Sequence, residues 1–111
     1  MTIKITVADR VQFSVRGTMA GETGAQEAFD FRLTAKRLNE QGLQAALSQA
    51  DRNVIDFLCD VVAGWKGVLD DQGNEVPYST EALRQLCGNC LGVGPMAFEA
   101  YLDSVKAKAK N

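Results

Sequence analysis

Two cysteines three positions apart, Cys87 and Cys90, are the residues of this sequence best suited to chemistry. A Cys-x-x-Cys pair at the start of a helix can share a lowered thiol pKa and exchange disulfides. Here the pair follows Leu83 and Leu86 at helical spacing, near the predicted end of a helix. The spacing therefore favours core or near-core thiols, and a thiol-disulfide oxidoreductase that uses Cys87 and Cys90 stays open as an alternative.

The sequence offers little else to a metal site or to nucleophilic catalysis. It contains no histidine, so it has neither a Ser-His nor a Cys-His arrangement. Cys59, Cys87 and Cys90 supply three sulfurs, whereas a structural zinc site needs four ligands. The polar turn at residues 70–74 lacks the alternating ligands and the closing glutamate of a calcium loop. We therefore predict a non-enzymatic protein with no catalytic residue, no metal site and no cofactor.

Trp65 and Tyr78 flank this polar turn, and helical periodicity alone does not explain their positions. The simplest interpretation is that they pack against each other and close the core around the turn. Amphipathic aromatic residues at the edge of a core also anchor many protein interfaces, so both residues are candidates for partner binding. Under the first interpretation Trp65→Ala should unfold the domain, whereas under the second it should spare the fold and weaken binding.

Length and charge restrict the class of protein. A chain of 111 residues fits one domain, residues 1–111, that buries roughly 65% of its unfolded surface. A net charge of −2 provides no field for collecting phosphates, so we expect no nucleic-acid partner. No apolar run approaches the ~18 residues of a membrane span, and the first residues do not resemble a signal peptide. We expect a cytoplasmic protein with reduced thiols and no membrane partner.

The first part of the chain, about residues 2–34, has the pattern of strands. Three segments alternate between apolar and polar residues, with a turn at Asp9-Arg10 and a glycine-rich stretch at residues 17–24 between them. Because strands joined by short turns usually pair with their neighbours, these segments predict a three-stranded antiparallel meander. The alternating apolar residues are Ile3, Ile5 and Val7, then Val11, Phe13 and Val15, then Phe29, Phe31 and Leu33.

The second part, about residues 39–108, has helical periodicity. One helix opens it, and a second, capped by Asp51, is predicted to run to Trp65. Ser79 caps a third helix, and Pro95 lies in the first turn of a fourth. The predicted fold class is α+β, an N-terminal antiparallel β-meander followed by a bundle of about four helices.

From about Phe29 onward the chain resembles the small tail assembly chaperones of long-tailed bacteriophages and prophages. The sharpest part of the resemblance is the stretch from Trp65 to Ser79, whereas Cys87 and Cys90 lie outside it. The segments that carry the resemblance are Phe31–Leu38, Phe57–Trp65, Gly67–Gly73 and Val76–Ser79.

This resemblance implies a non-enzymatic role in phage or prophage tail assembly. Such a chaperone would bind the long, helical tape-measure protein and present it to subunits of the tail tube. It would work in the cytoplasm of the bacterial host, would need no cofactor and would be absent from the mature virion. The role would also admit self-association into a homo-oligomer.

Two further interpretations stay open, because a fold class does not determine a function. A small β-plus-helix domain would serve equally well as a structural or connector protein of the phage tail or head. Presence in purified virions would favour that interpretation. A host protein of unrelated role is the other.

Overall fold

The computed structural model describes residues 2–48 and 53–108. Within these residues the chain forms a three-stranded antiparallel sheet and four helices, which confirms the predicted α+β class. The elements in chain order are β1 (Arg10–Ala20), β2 (Gln26–Lys36), α1 (Glu40–Leu47), α2 (Val54–Val61), β3 (Val62–Lys66), α3 (Thr80–Asn89) and α4 (Val93–Val105).

The strands lie in the order β1-β2-β3, so that β2 is central. Strands β1 and β2 form a long hairpin that pairs along its full length, from Arg10 opposite Lys36 to Ala20 opposite Gln26. Strand β3 pairs antiparallel with the second half of β2, with a register shift between Thr34 and Ala35. The sheet therefore has two edges, β1 on one side and β3 on the other.

The prediction of a first strand at Ile3–Val7 is wrong. Residues 2–8 lie outside the sheet, and the side chains of Ile3, Ile5 and Val7 are 94%, 102% and 64% exposed. The predicted hairpin turn at Asp9-Arg10 is also absent, because the Asp9 carbonyl accepts a hydrogen bond of 2.8 Å from the Arg37 amide. That bond extends the pairing of β1 with β2 by one residue, so Asp9 continues the strand instead of forming a turn.

The third strand comes from a segment that was predicted to be helical. Helix α2 ends at Val61 and not at Trp65, and Val62–Lys66 pairs with β2. Val61 and Val62 are β-branched and favour a strand over a helix, Gly64 has a low helix propensity, and pairing with the central strand β2 outweighs the local periodicity. This correction places Trp65 on an edge strand.

Three of the helices begin at a side-chain cap, and Asn53, which the sequence analysis did not name, caps α2. The side chains of Asn39, Asn53 and Ser79 each accept a hydrogen bond from the backbone amide three residues later, at 2.7, 2.8 and 3.0 Å. The predicted caps at Ser79 and the predicted place of Pro95 in the first turn of α4 are confirmed. The predicted cap Asp51 lies outside the described residues.

The core forms where the helices meet one face of the sheet. Helix α4 packs on β1 and α2, and α3 packs on α2 and α4. No helix among the described residues is long and apolar enough to cross a membrane. The most deeply buried large side chains, each less than 2% exposed, are Tyr101, Leu33, Leu58, Leu83 and Val15.

Tyr101 of α4 joins the helical layer to the sheet. Its ring meets Phe13 of β1 and Phe57 of α2 edge to face, at centroid distances of 5.9 and 5.6 Å. Its hydroxyl donates to the Lys36 carbonyl at 2.8 Å and accepts from the Leu38 amide at 3.2 Å. Burial raises the pKa of this phenol, so the hydroxyl stays protonated and able to donate. One side chain therefore fixes α4 against β1, α2 and the end of β2.

We expect Tyr101→Phe to lower the free energy of unfolding by about 1–3 kcal/mol, because two backbone groups lose their hydrogen-bond partner. Tyr101→Ala should cost more, about 3–5 kcal/mol, since it also opens a cavity. Urea denaturation followed by circular dichroism measures both. A Tyr101→Phe variant as stable as the wild-type protein would show that the hydroxyl contributes nothing to the junction.

Candidate functional site

A tight hairpin follows β3 and carries the polar turn. We call residues 68–76 the 68–76 hairpin. The Val76 amide donates to the Val68 carbonyl at 2.9 Å, and Leu69 pairs with Glu75 in an antiparallel bridge. These contacts make the two arms of the hairpin antiparallel, so Val76 and the residues after it lie beside β3.

The tip of this hairpin is closed by the side chain of Asp70. The Asp70 Oδ1 atom accepts hydrogen bonds of 2.9 Å from the backbone amides of both Gln72 and Asn74. Gly73 has a φ of 81°, a left-handed conformation that a side chain would strain. Residues 70–75 are exposed throughout, which confirms the prediction of a solvated turn.

Trp65 and Tyr78 pack against each other, as the sequence analysis predicted. Their rings meet edge to face at a centroid distance of 5.2 Å and an angle of 85°. Trp65 Nε1 donates to the Val76 carbonyl at 2.7 Å, and the Tyr78 hydroxyl donates to the Val62 carbonyl at 3.0 Å. Trp65 of β3 therefore bonds to the backbone of the 68–76 hairpin, and Tyr78, which follows that hairpin, bonds to the backbone of β3. Together they hold the hairpin against β3.

The Tyr78 hydroxyl is a hydrogen-bond donor in a partly buried position. Burial, and to a smaller extent the neighbouring Cys59, raises the pKa of this phenol above its ordinary value of 10.0. The phenol therefore stays neutral at physiological pH and keeps its bond to Val62. A neutral phenol does not act as a base, and this hydroxyl serves to hold the Trp65–Tyr78 pair in position.

An open groove lies between β3 and the 68–76 hairpin. Trp65 and Tyr78 are half-buried within it, whereas Lys66 and Glu75 are exposed and carry opposite charges. Gly67 joins the strand to the hairpin with a φ of 91°. The lining residues are Trp65, Lys66, Gly67, Val68, Glu75, Val76, Pro77 and Tyr78. This surface can receive apolar side chains without a cofactor, and binding of a partner through Trp65 and Tyr78 stays a prediction.

Part of this groove was not anticipated from the sequence. Lys66, Gly67 and Glu75 were not identified as site residues, because Trp65 was expected to end a helix. The available signal was the turn sequence at residues 70–73, Asp-Asp-Gln-Gly, with valine and leucine before it and valine after it. A hairpin interpretation of that pattern would have placed residues 69 and 75 opposite each other and brought Val76 and the residues after it back beside residues 66–68.

Cys87 and Cys90 lie at the C-terminal end of α3, away from the helix start where a redox pair belongs. Cys87 is buried near the C-terminal end of α3, and Cys90 is half-buried at the cap that ends this helix. Burial raises the pKa of the Cys87 thiol, and Cys59 and Cys90 raise it further. A redox nucleophile needs the opposite shift. The prediction of core or near-core thiols is confirmed, and the oxidoreductase alternative has no support.

The described residues also contain no group of three cysteine, aspartate or glutamate side chains placed to hold a metal ion. In particular, Cys59 lies beside the Thr80 carbonyl, with its sulfur at 3.9 Å from that oxygen.

A double-mutant cycle tests the aromatic pair. We expect Trp65→Leu and Tyr78→Leu to show a coupling free energy of about 0.5–1.5 kcal/mol, because each ring supports the other. Thermal or urea denaturation of both single variants and the double variant measures it. Strictly additive effects would contradict a shared contact.

Thiol reactivity tests the assignment of the cysteines. In the folded protein at pH 8 we expect Cys87 to react with a disulfide reporter far more slowly than Cys90, because its thiolate is disfavoured and its sulfur is covered. Cys87→Ser and Cys90→Ser variants assign the two rates, and urea should abolish the difference. Rapid reaction of Cys87 at neutral pH would instead restore the redox interpretation.

Comparison with known protein families gives one match. Residues 22–110 match the family model described as YdaY prophage protein. The comparisons with curated proteins and with solved structures give no match. The matched span begins before β2 and contains every later element, including the groove. Since this is well over half of the chain, the protein belongs to the YdaY prophage protein family.

Proposed function

We propose that this prophage protein is a tail assembly chaperone, which binds the tape-measure protein and assists assembly of the tail tube without catalysing a reaction. Two facts support the proposal from outside the site. The chain belongs to a prophage family, and its segment from Trp65 to Ser79 resembles the tail assembly chaperones. The observation that carries the proposal is the groove between β3 and the 68–76 hairpin.

The groove suits an apolar partner because its aromatic residues already have partners for their polar atoms. Trp65 Nε1 and the Tyr78 hydroxyl both bond to backbone carbonyls of the chain. A ligand that covers these rings would therefore bury ring carbon and leave no donor unpaired, which avoids the usual cost of desolvating polar groups. Half-buried aromatic residues of this kind are common anchors of interfaces.

The partner that fits best is one face of an amphipathic helix. A helix lying in a groove presents apolar side chains every three or four residues and leaves its polar face in water. Lys66 and Glu75 place one positive and one negative charge beside the aromatic floor. These charges can orient the polar margin of such a helix and contribute to selectivity.

The size of the groove favours reversible binding. It is lined by eight residues and remains open to solvent, so one copy would hold a tape-measure segment weakly. Several copies bound along one long tape-measure helix would together retain it strongly, because many weak contacts on the same chain give a high overall affinity. Weak single contacts would also let tube subunits displace the chaperone, which agrees with its expected absence from the mature virion.

Co-expression tests the proposal. We expect the tape-measure protein encoded by the same prophage to become soluble and to co-purify with the full chain, with an unrelated small domain as control. Equal insolubility with both partners, and no co-purification, would contradict the proposal. Recovery of this chain from purified virions would favour the structural or connector role instead.

The groove itself is tested by a matched pair of variants. Pro77→Glu adds a carboxylate to the groove at an exposed position, and Gln85→Glu adds the same charge on an exposed part of α3. We expect Pro77→Glu to reduce co-purified tape-measure protein by about fivefold, the effect of roughly 1 kcal/mol. The Gln85→Glu variant should behave like the wild-type protein. An equal effect of the two variants would show that binding uses another surface.

A further inference from the structure

The first residues of the described chain form an arm with the pattern of a strand but without a strand partner. Within residues 2–8, Ile3, Ile5 and Val7 alternate with Thr2, Lys4 and Thr6. All of these residues are exposed, and the arm pairs with no described strand. Three large apolar side chains that would share one side of a strand are thus left in water, which is the mark of an interaction surface when it is continuous.

Strand β1 provides an edge that has no covering strand among the described residues. The odd-numbered residues of β1 make its hydrogen bonds to β2. At the two ends of the hairpin, the Asp9 carbonyl accepts from the Arg37 amide and the Gly21 amide donates to the Ala25 carbonyl. Backbone groups alternate in direction along a strand, so the even-numbered residues from Arg10 to Ala20 direct their amides and carbonyls outward. The edge is eleven residues long and contains no proline. Such an edge is a template for an added strand.

Helix α4 lies beside this edge, and its flank carries Met96 and Ala100 together with the charged residues Glu99, Asp103 and Lys106. It packs over β1, and Phe98 meets Phe57 of α2 at 5.2 Å, so α2 occupies one side of it. Met96 and Ala100 lie on the opposite side of α4 and are only half-buried. Met96 sits directly against Gly17 of β1, where an added Cβ would lie 2.6 Å from the Met96 methyl carbon. A strand added to β1 would therefore find apolar contacts on the face of the sheet that carries the core.

We propose that two copies of this chain form a dimer in which Ile3–Val7 of each copy adds a strand to the β1 edge of the other. The alternating side chains Ile3, Ile5 and Val7 would then pack on Met96 and Ala100 of the second copy. The outward backbone groups of β1 would gain hydrogen-bond partners, and the exposed apolar residues of the arm would be covered.

A second copy is the occupant that the chain connectivity favours. The arm does not pair with the edge of its own β1, because Asp9 continues the pairing of β1 with β2 and no hairpin turn separates the arm from β1. Arm and edge are present once in every chain, so a two-fold exchange satisfies both at the same time. The dimer uses the sheet edge opposite to β3 and leaves the groove at β3 free, so this inference does not rest on the proposed chaperone function.

Sedimentation equilibrium of the full chain over a range of concentrations tests the dimer. We expect a species with twice the chain mass of 12.0 kDa. Ile5→Glu should raise the dimer dissociation constant by at least about tenfold, since it places a charge in the apolar contact. Thr6→Glu is the matched control, because its side chain would lie on the solvent side of the added strand, and it should leave the constant nearly unchanged.

A variant of the edge completes the test. Ser14→Pro removes an amide that points away from β2, so it blocks the added strand and spares the pairing of β1 with β2. We expect it to give a monomer, with circular dichroism confirming that both variants are folded. A monomeric wild-type protein at every concentration would overturn the proposal. So would a dimer that survives either Ile5→Glu or Ser14→Pro, because the first excludes the arm and the second excludes the β1 edge.

Discussion

The burial of Tyr101 is the interaction on which the remaining structure depends. Its ring fills the space between β1 and α2, and its hydroxyl bonds to the chain on both sides of Arg37. Because these contacts come from three different parts of the chain, namely β1, α2 and the end of β2, they together determine the orientation of α4. With α4 fixed over β1, helices α2 and α3 have a surface to pack on, and one face of the sheet is covered.

A sheet built in this way has two edges with different properties. At the β3 edge, Trp65 and Tyr78 hold a hairpin against the strand and form a groove whose polar atoms are already paired. At the β1 edge, backbone groups point outward beside the half-buried flank of α4. Small sheets must protect or use their edges, since unpaired strands invite association. In this prophage protein the β3 edge carries the groove of the proposed chaperone function, and the β1 edge is the surface of the proposed dimer.

Much of the local structure could be predicted from the sequence, because its causes lie within a few residues. The cap at Ser79, Pro95 in the first turn of α4 and the solvated turn at residues 70–74 all follow from side chains that act on neighbouring backbone. The packing of Trp65 on Tyr78 was also predicted, since both flank one short turn. The groove was predicted only in part, because its other residues depend on a strand that the helical periodicity concealed.

The sequence by itself determined the helix cap at Ser79, the polar turn, the buried positions of the β1-β2 hairpin and the core placement of Cys87. Tertiary structure decided which segments became the first and third strands. Ile3–Val7 has the alternation of a strand but pairs with no described strand, because Asp9 continues β1 instead of forming a hairpin turn. Val62–Lys66 has the periodicity of a helix but pairs with a strand some thirty residues earlier in the chain. The periodicity of apolar residues in the sequence indicates which side chains prefer burial. Strand pairing depends in addition on which backbone groups from distant parts of the chain lie alongside.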